Sequence, residues 1–146
     1  MWKACDTVMA SEQSRRKMMQ KKVLIGNSFP LSLIRREVKI EVKALEVFKE
    51  MCQHAEIHSF WGHENTRTVA EEVLGVSVQP KVERPAIALT ADGLPALNGE
   101  TFTECYILSP NYKENVRPKI GEEVAAEQIA SWHLLGISWT GSKEIA

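Results

Sequence analysis

Apolar residues recur along the chain with the two periods that distinguish strands from helices. A continuous apolar run at residues 22–26 predicts a buried strand. Strict alternation at residues 37–42 predicts a second strand with Val38, Ile40 and Val42 facing inward. Further strand segments are predicted at residues 55–61, 76–78, 85–89, 103–109 and 134–139.

Helix spacing appears in three places. Apolar residues fall three and four positions apart at residues 43–53 and 64–74, and Gly75 fits the end of the second helix. A third helix is predicted at residues 121–132, because acidic residues open it. Strands interleaved with about three helices predict an α/β (α+β) fold, in which a small mixed sheet is flanked by the helices.

Composition narrows the class of protein. The 146 residues suffice for one domain, expected at residues 21–142 behind a flexible extension at residues 1–20. A formal net charge of −1 predicts no binding to long nucleic acid, and no apolar run has the length of a membrane span. The three cysteines lack CxxC spacing. This argues against disulfides and a structural zinc site, and favours the reducing cytoplasm.

The segment at residues 59–66 carries the strongest candidate chemistry. Its apolar strand ends in Gly62, His63 follows, and an amphipathic helix opens immediately afterwards. A helix start favours anions, and histidine exchanges protons near neutral pH. The pattern suits a phosphate ester, with His63 as general acid or base. The alternative is that His63 only caps or packs at the helix start.

Other polar residues are weaker candidates. Asn27, Ser28 and Phe29 follow the first strand, where binding loops gather in open sheets, although a simple turn also explains them. A basic and polar set in loops could hold phosphates or form an ordinary solvated surface. That set is Lys81, Arg84, Asn111, Lys113, Glu114 and Arg117.

The remaining histidines are weaker candidates for a functional role. His54 and His58 are four residues apart, but they fall where a helix end runs into a strand, so we expect surface histidines and no metal site. His133 is expected at a helix end.

The order of these segments resembles the small ring nucleases of type III CRISPR immunity, a family that includes viral anti-CRISPR proteins. The family motif Asn-Ala-Phe-Ser after the first strand corresponds to residues 27–30 here, and its Gly-His-x-x-Thr corresponds to residues 62–66. The helix end at Leu74-Gly75, Gln79 and Arg84 also correspond. A family loop, Ser-Gln-Arg-Leu-Glu-Glu, corresponds to residues 109–114. The resemblance covers about residues 21–139.

The resemblance implies a homodimer that binds cyclic tetra-adenylate on its two-fold axis and cleaves it without a metal or cofactor. The ribose 2′-hydroxyl attacks the adjacent phosphate, which gives linear di-adenylates with a 2′,3′-cyclic phosphate. His63 takes the role of general acid, and Glu114 falls at a second catalytic position. The implied substrate-binding residues are Asn27, Ser28, Phe29, Gly62, Thr66, Arg84, Asn111 and Lys113.

The chain departs from the family at several positions. Pro30 replaces the serine of the first motif, Asn111 replaces the loop arginine, and residues 90–102 form a longer segment than expected. These departures leave open a binding module that sequesters a cyclic oligoadenylate without cutting it. A third possibility is an interaction protein whose surface includes Trp132 and Trp139, although both residues also suit a core or a dimer interface.

Overall fold

The computed structural model describes residues 21–83, 85–118 and 122–139, so the predicted extension at residues 1–20 lies outside the described residues. Within them the chain forms a mixed α+β fold built on a five-stranded sheet in the order β2-β8-β7-β1-β3. The strands of this sheet are β1 (Lys21–Gly26), β2 (Lys39–Val42), β3 (Ala55–Ser59), β7 (Glu104–Tyr112) and β8 (Ile129–Ser138).

Strand β1 organises the sheet because it is buried on both faces. It runs parallel to β3 on one side and to β7 on the other. Val23 and Ile25 enter one core, and Leu24 between them enters the other. A continuous apolar run is what a strand covered on both faces requires, so the predicted buried strand at residues 22–26 is confirmed.

Two helices cover one face of the sheet. Helix α1 (Leu45–Gln53) buries Phe48 and Cys52, and helix α2 (Glu64–Leu74) buries Ala70 and Leu74, among other residues. Both helices occur where the apolar spacing predicted them. Helix α2 ends at Gly75, whose φ of 74° lies in the left-handed region that glycine adopts without strain.

A small antiparallel sheet packs on the opposite face. Its strands β4 (Ala88–Leu89), β5 (Pro95–Leu97) and β6 (Glu100–Thr101) follow one another in the order β4-β5-β6. Leu97 and Phe102 join Leu24 and Ile107 of the main sheet in the second core. The longer segment at residues 90–102 therefore forms most of this second layer.

The predicted helix at residues 121–132 is wrong over the part that the structure describes. Residues Ala126–Gln128 form a single 3₁₀ turn, and the chain from Ile129 onward is strand β8. Strand β8 pairs with β7 along almost its whole length. Pairing with a distant strand thus overrides a local preference for helix, and the described residues contain two α-helices where about three were expected. His133 accordingly lies in a strand opposite Ser109.

Two other sets of sequence predictions need correction. Ile40 and Val42 lie in β2 as expected, but they are 49% and 73% exposed, because β2 is an edge strand and none of the described residues covers these two side chains. Residues 76–78 form no strand, and only Ala88–Leu89 of the segment at 85–89 does. Trp139 is buried, in agreement with the interpretation of this residue as part of the core, and Trp132 is half-buried. No helix among the described residues is long and apolar enough to cross a membrane.

Candidate functional site

The ends of β1 and β3 bring the two best sequence motifs together. Because these strands are parallel neighbours, their carboxyl ends lie at the same edge of the sheet, where ligand sites of open sheets occur. Asn27 follows β1 directly. Its Oδ1 accepts a hydrogen bond of 2.8 Å from the backbone N–H of Gly62, and its Nδ2 lies 2.7 Å from Nδ1 of His63.

These two contacts define which ring nitrogen of His63 carries hydrogen. The Gly62 N–H is a donor, so the atom of Asn27 that faces it must be the amide oxygen. The amide NH₂ then faces Nδ1, which must accept. A neutral His63 ring therefore carries its hydrogen on Nε2. Asn27 holds the imidazole in one tautomer and orientation, and the side chain of His63 is exposed.

The backbone of His63 is fixed as firmly as its ring. Its carbonyl oxygen accepts hydrogen bonds from the Trp61 indole (2.8 Å), the Thr66 backbone N–H (3.1 Å) and the Thr66 hydroxyl (3.1 Å). Trp61 and Thr66 are both buried. His63 occupies the N-cap position of α2, but its side chain makes no capping hydrogen bond. The side chain of His63 therefore does not cap α2, and its polar contact is with Asn27.

An open pocket of about 340 Å³ lies beside this unit. Asn27, Ser28, Gly62 and His63 line it, and Pro30 stands where the resembling family has serine. The remaining wall consists of apolar groups from Leu33, Phe60, Pro85, Ala86 and Ile87. Sequence patterns did not predict this apolar wall, because its residues come from three separate segments with no motif of their own.

Two of the predicted binding residues have structural contacts. Phe29 packs edge-on against Trp139 and Phe60, with ring centroids 5.4 and 6.4 Å apart, and so belongs to the second core. The hydroxyl of Thr66 accepts a hydrogen bond from the Trp61 indole in addition to donating to His63. Neither residue lines the pocket. We infer that they instead hold in place the residues that do, since Phe29 packs against Phe60 and Thr66 bonds to His63.

The loop that follows β7 lies at the same end of the sheet but further along. Strand β7 runs parallel to β1 and continues five residues beyond Ile107, the partner of Gly26. Asn111 lies in β7 and bonds to Ser131 at 3.1 Å, while Lys113 and Glu114 are exposed. Among the described residues, no hydrogen bond or ion pair joins this loop to His63. Arg84 lies outside the described residues.

Charges at the start of α2 are arranged in a network along the helix. The guanidinium of Arg67 lies 3.0 Å from the Glu64 carboxylate and 3.1 Å from that of Glu71. Its hydrogen bond to Glu64 is the main cause of a raised pKa of Arg67. Glu71 also accepts from Ser77 and from the backbone N–H of Val78, which ties the chain after α2 to the helix.

Two of the other three histidines, His54 and His58, differ in burial. His54 ends α1 on the surface, as predicted. His58 is buried in β3, so the prediction of a second surface histidine is wrong.

Compared with models of known protein families and with curated proteins, the chain matches none of them.

Proposed function

We propose that the chain is a ring nuclease that degrades cyclic tetra-adenylate, the RNA messenger that activates effector nucleases in type III CRISPR immunity. The observation that carries the proposal is the Asn27–Gly62–His63 unit at the pocket, which joins the two motifs on which the family resemblance rests. A messenger made inside the cell implies that the enzyme works in the cytoplasm.

The substrate supplies its own nucleophile in this reaction. The ribose 2′-oxygen attacks the adjacent phosphorus in line while the bond from phosphorus to the 5′-oxygen breaks. The proton of the 2′-hydroxyl leaves to solvent, and His63 gives a proton from Nε2 to the departing 5′-oxygen. General acid catalysis of this kind contributes about 10²–10⁴-fold. The chemistry requires neither an activated side-chain nucleophile nor a metal.

The described geometry adds one condition to this mechanism. An imidazolium carries hydrogen on both nitrogens, so Nδ1 of a protonated His63 would face the NH₂ of Asn27. The Asn27 amide must therefore turn or withdraw when His63 takes up the proton that it donates. Asn27 acts here as a positioning residue.

The remaining groups of the proposed site come from the outer loop and from a second copy of the chain. Lys113 and Glu114 are exposed at the end of the sheet that carries His63. A homodimer with the ligand on its two-fold axis would bring two such loops over one ring of four phosphates. Arg84 precedes Pro85, a residue that lines the pocket, and supplies a cation in this proposal.

The direct test is turnover of labelled cyclic tetra-adenylate in EDTA. We expect linear di-adenylates with a 2′,3′-cyclic phosphate, and a rate at least about 100-fold lower for His63→Ala. His54→Ala is the matched control, since His54 is exposed at the end of α1 and should leave the rate unchanged. Failure to cleave at micromolar enzyme would exclude the nuclease.

A non-cleaving sensor or sponge for the same messenger is the second candidate. Among the described residues that line the pocket, His63 is the only ionisable one, and Pro30 takes the place of the family serine. Both features weaken the case for transition-state stabilisation more than the case for binding a nucleobase against an apolar wall. Tight binding with the ring recovered intact would favour the sensor, and turnover would exclude it.

A further inference from the structure

His58 on β3 is a buried imidazole without a hydrogen-bond partner. Its side chain is 2% exposed, and among the described residues neither ring nitrogen makes a hydrogen bond. Its Nε2 lies 3.3 Å from Oε1 of Glu56 and 3.8 Å from Oε2 of Glu100, within electrostatic reach but without hydrogen-bond alignment. Buried polar groups are normally satisfied, so this group calls for a ligand or another explanation.

The three side chains come from two layers of the fold. Glu56 and His58 are two residues apart on β3 and so project from the same face of that edge strand. Glu100 begins β6 in the small sheet. The Phe102 ring packs edge-on against His58 with centroids 5.1 Å apart, and the carboxylates of Glu56 and Glu100 remain partly exposed. The cluster is thus dry on one side and open to solvent on the other.

We propose that Glu56, His58 and Glu100 bind one Zn²⁺ ion between the edge of the main sheet and the small sheet. One ligand atom from each residue can be chosen so that all three lie within 4.8 Å of one another. Two ligands bound tetrahedrally at about 2.0–2.1 Å from zinc are about 3.3–3.4 Å apart. The distances of 3.3 and 3.8 Å from Nε2 are therefore close to those of a zinc sphere.

The ligand types select zinc over other common cations. Calcium and magnesium prefer sites made only of oxygen, whereas zinc accepts an imidazole nitrogen together with carboxylates. Three protein ligands leave a fourth position for water, which the exposed side of the cluster can supply.

Lys22 shows that the cluster already attracts a cation. Its ammonium lies 2.6 Å from Oε2 of Glu100, the same carboxylate oxygen that would bind zinc. That hydrogen bond is the main cause of a raised pKa of Lys22 and of a lowered pKa of Glu100. Zinc must displace the ammonium, whose half-exposed side chain can turn into water. Removal of Lys22 should therefore strengthen zinc binding.

The expected consequence is structural. A bound ion would tie β6 of the small sheet to β3, which is an edge strand of the five-stranded sheet among the described residues. None of the three ligands lines the pocket beside His63. A test of zinc binding is therefore independent of a test of the proposed nuclease activity.

The experiment is zinc titration of the full-length, EDTA-stripped and dialysed chain against a chromophoric chelator. We expect one zinc per chain and a rise in melting temperature with zinc concentration. Loss of a residue that merely orients a ligand typically weakens binding about 10–100-fold, so Glu56→Gln and Glu100→Gln should each weaken it at least about tenfold. Lys22→Met should strengthen it.

Matched variants separate this site from adventitious binding. His54→Ala tests the exposed pair of His54 and Glu50, which are 3.4 Å apart, and Glu104→Gln tests the ion pair with Lys21 at 3.3 Å. Both should bind zinc as wild type does. X-ray absorption at the zinc edge should show nitrogen and oxygen ligands only. No binding at micromolar zinc, binding that survives both glutamate substitutions, or sulfur in the coordination sphere would each overturn the proposal.

Discussion

Asn27 and His63 are 36 positions apart in the sequence, and their side chains meet with Nδ2 of Asn27 2.7 Å from Nδ1 of His63. The second contact of Asn27, with the Gly62 N–H, fixes the orientation of the amide and hence the tautomer of the ring. The first motif therefore sets the orientation and the tautomer of the histidine in the second motif.

We expect Asn27→Asp to extend activity to higher pH. A carboxylate accepts from the Gly62 N–H and also from Nδ1–H, so a hydrogen bond from Nδ1 of a protonated ring becomes possible in this variant. A general acid works in its protonated form, so we expect Asn27→Asp to remain active at a higher pH than the wild-type protein does. The measurement is the pH–rate profile for the cyclic ring.

An independent readout of the same pair does not depend on catalysis. In the wild-type protein, ¹⁵N chemical shifts of the neutral His63 ring should report hydrogen on Nε2 and a bare Nδ1. Asn27→Ala should release this preference and lower turnover by about 10²-fold through misplacement of the ring. A wild-type ring protonated on Nδ1, or an unchanged pH profile in Asn27→Asp, would contradict the assignment.

The glycine of the Gly-His motif is required for its N–H and not for its size. A methyl group at Gly62 would lie 3.7 Å from Oδ1 of Asn27, an ordinary contact. We therefore expect Gly62→Ala to retain stability and turnover. Gly62→Pro removes the donor and should reduce stability by about 1 kcal/mol, with loss of the His63 tautomer preference. Denaturant titration and the same ¹⁵N spectra check both variants, and equal behaviour of the two would refute this role.

Local patterns predicted those elements whose burial follows from their own sequence. The apolar run of β1 requires cover on both faces, and the apolar stripe of α2 requires one covered face, wherever their neighbours come from. Strand β8 differs because its conformation depends on β7, with which it pairs. The exposure of Ile40 and Val42 likewise depends on whether another element covers the end of β2.

The site was predictable only in part for the same reason. The sequence pattern placed Asn27 and His63 each after a predicted strand, but it did not predict that their side chains would meet or that the Asn27 amide would be occupied within the protein. The cluster at His58 could not be predicted from sequence spacing, because Glu100 belongs to the small sheet and contacts His58 only in the folded chain.

Gly26, the last residue of β1, lies directly against the ring of Phe60. A methyl group there would overlap the ring of Phe60, which lines the pocket. Gly26→Ala should cost about 1–3 kcal/mol of unfolding free energy, as overpacking does. Gly62→Ala serves as the matched control in the same denaturant titrations. The double variant Gly26→Ala with Phe60→Leu should recover part of the loss, and additive losses would exclude this clash as the cause.

The buried cysteines Cys52 and Cys105 should not react with thiol-alkylating reagents in the folded protein. Burial disfavours the thiolate and raises the pKa of Cys52 from its ordinary 9.0 to about 11, and it raises the pKa of Cys105 as well. At pH 8 only about one Cys52 in a thousand would be ionised, and the thiolate is the reactive form. Iodoacetamide at pH 8 should therefore leave both residues unmodified by peptide mass spectrometry until denaturant is added.

The same shift sets the sign of a pH effect on stability. A thiol whose pKa is higher in the folded state favours folding fully below about pH 9, and this contribution is lost as the pH rises towards 11. We expect the unfolding free energy to fall over that range, and to fall less steeply in Cys52→Ala. Rapid labelling of Cys52 at pH 8 without denaturant, or an identical alkaline profile in the variant, would show that the thiol is not held in this way.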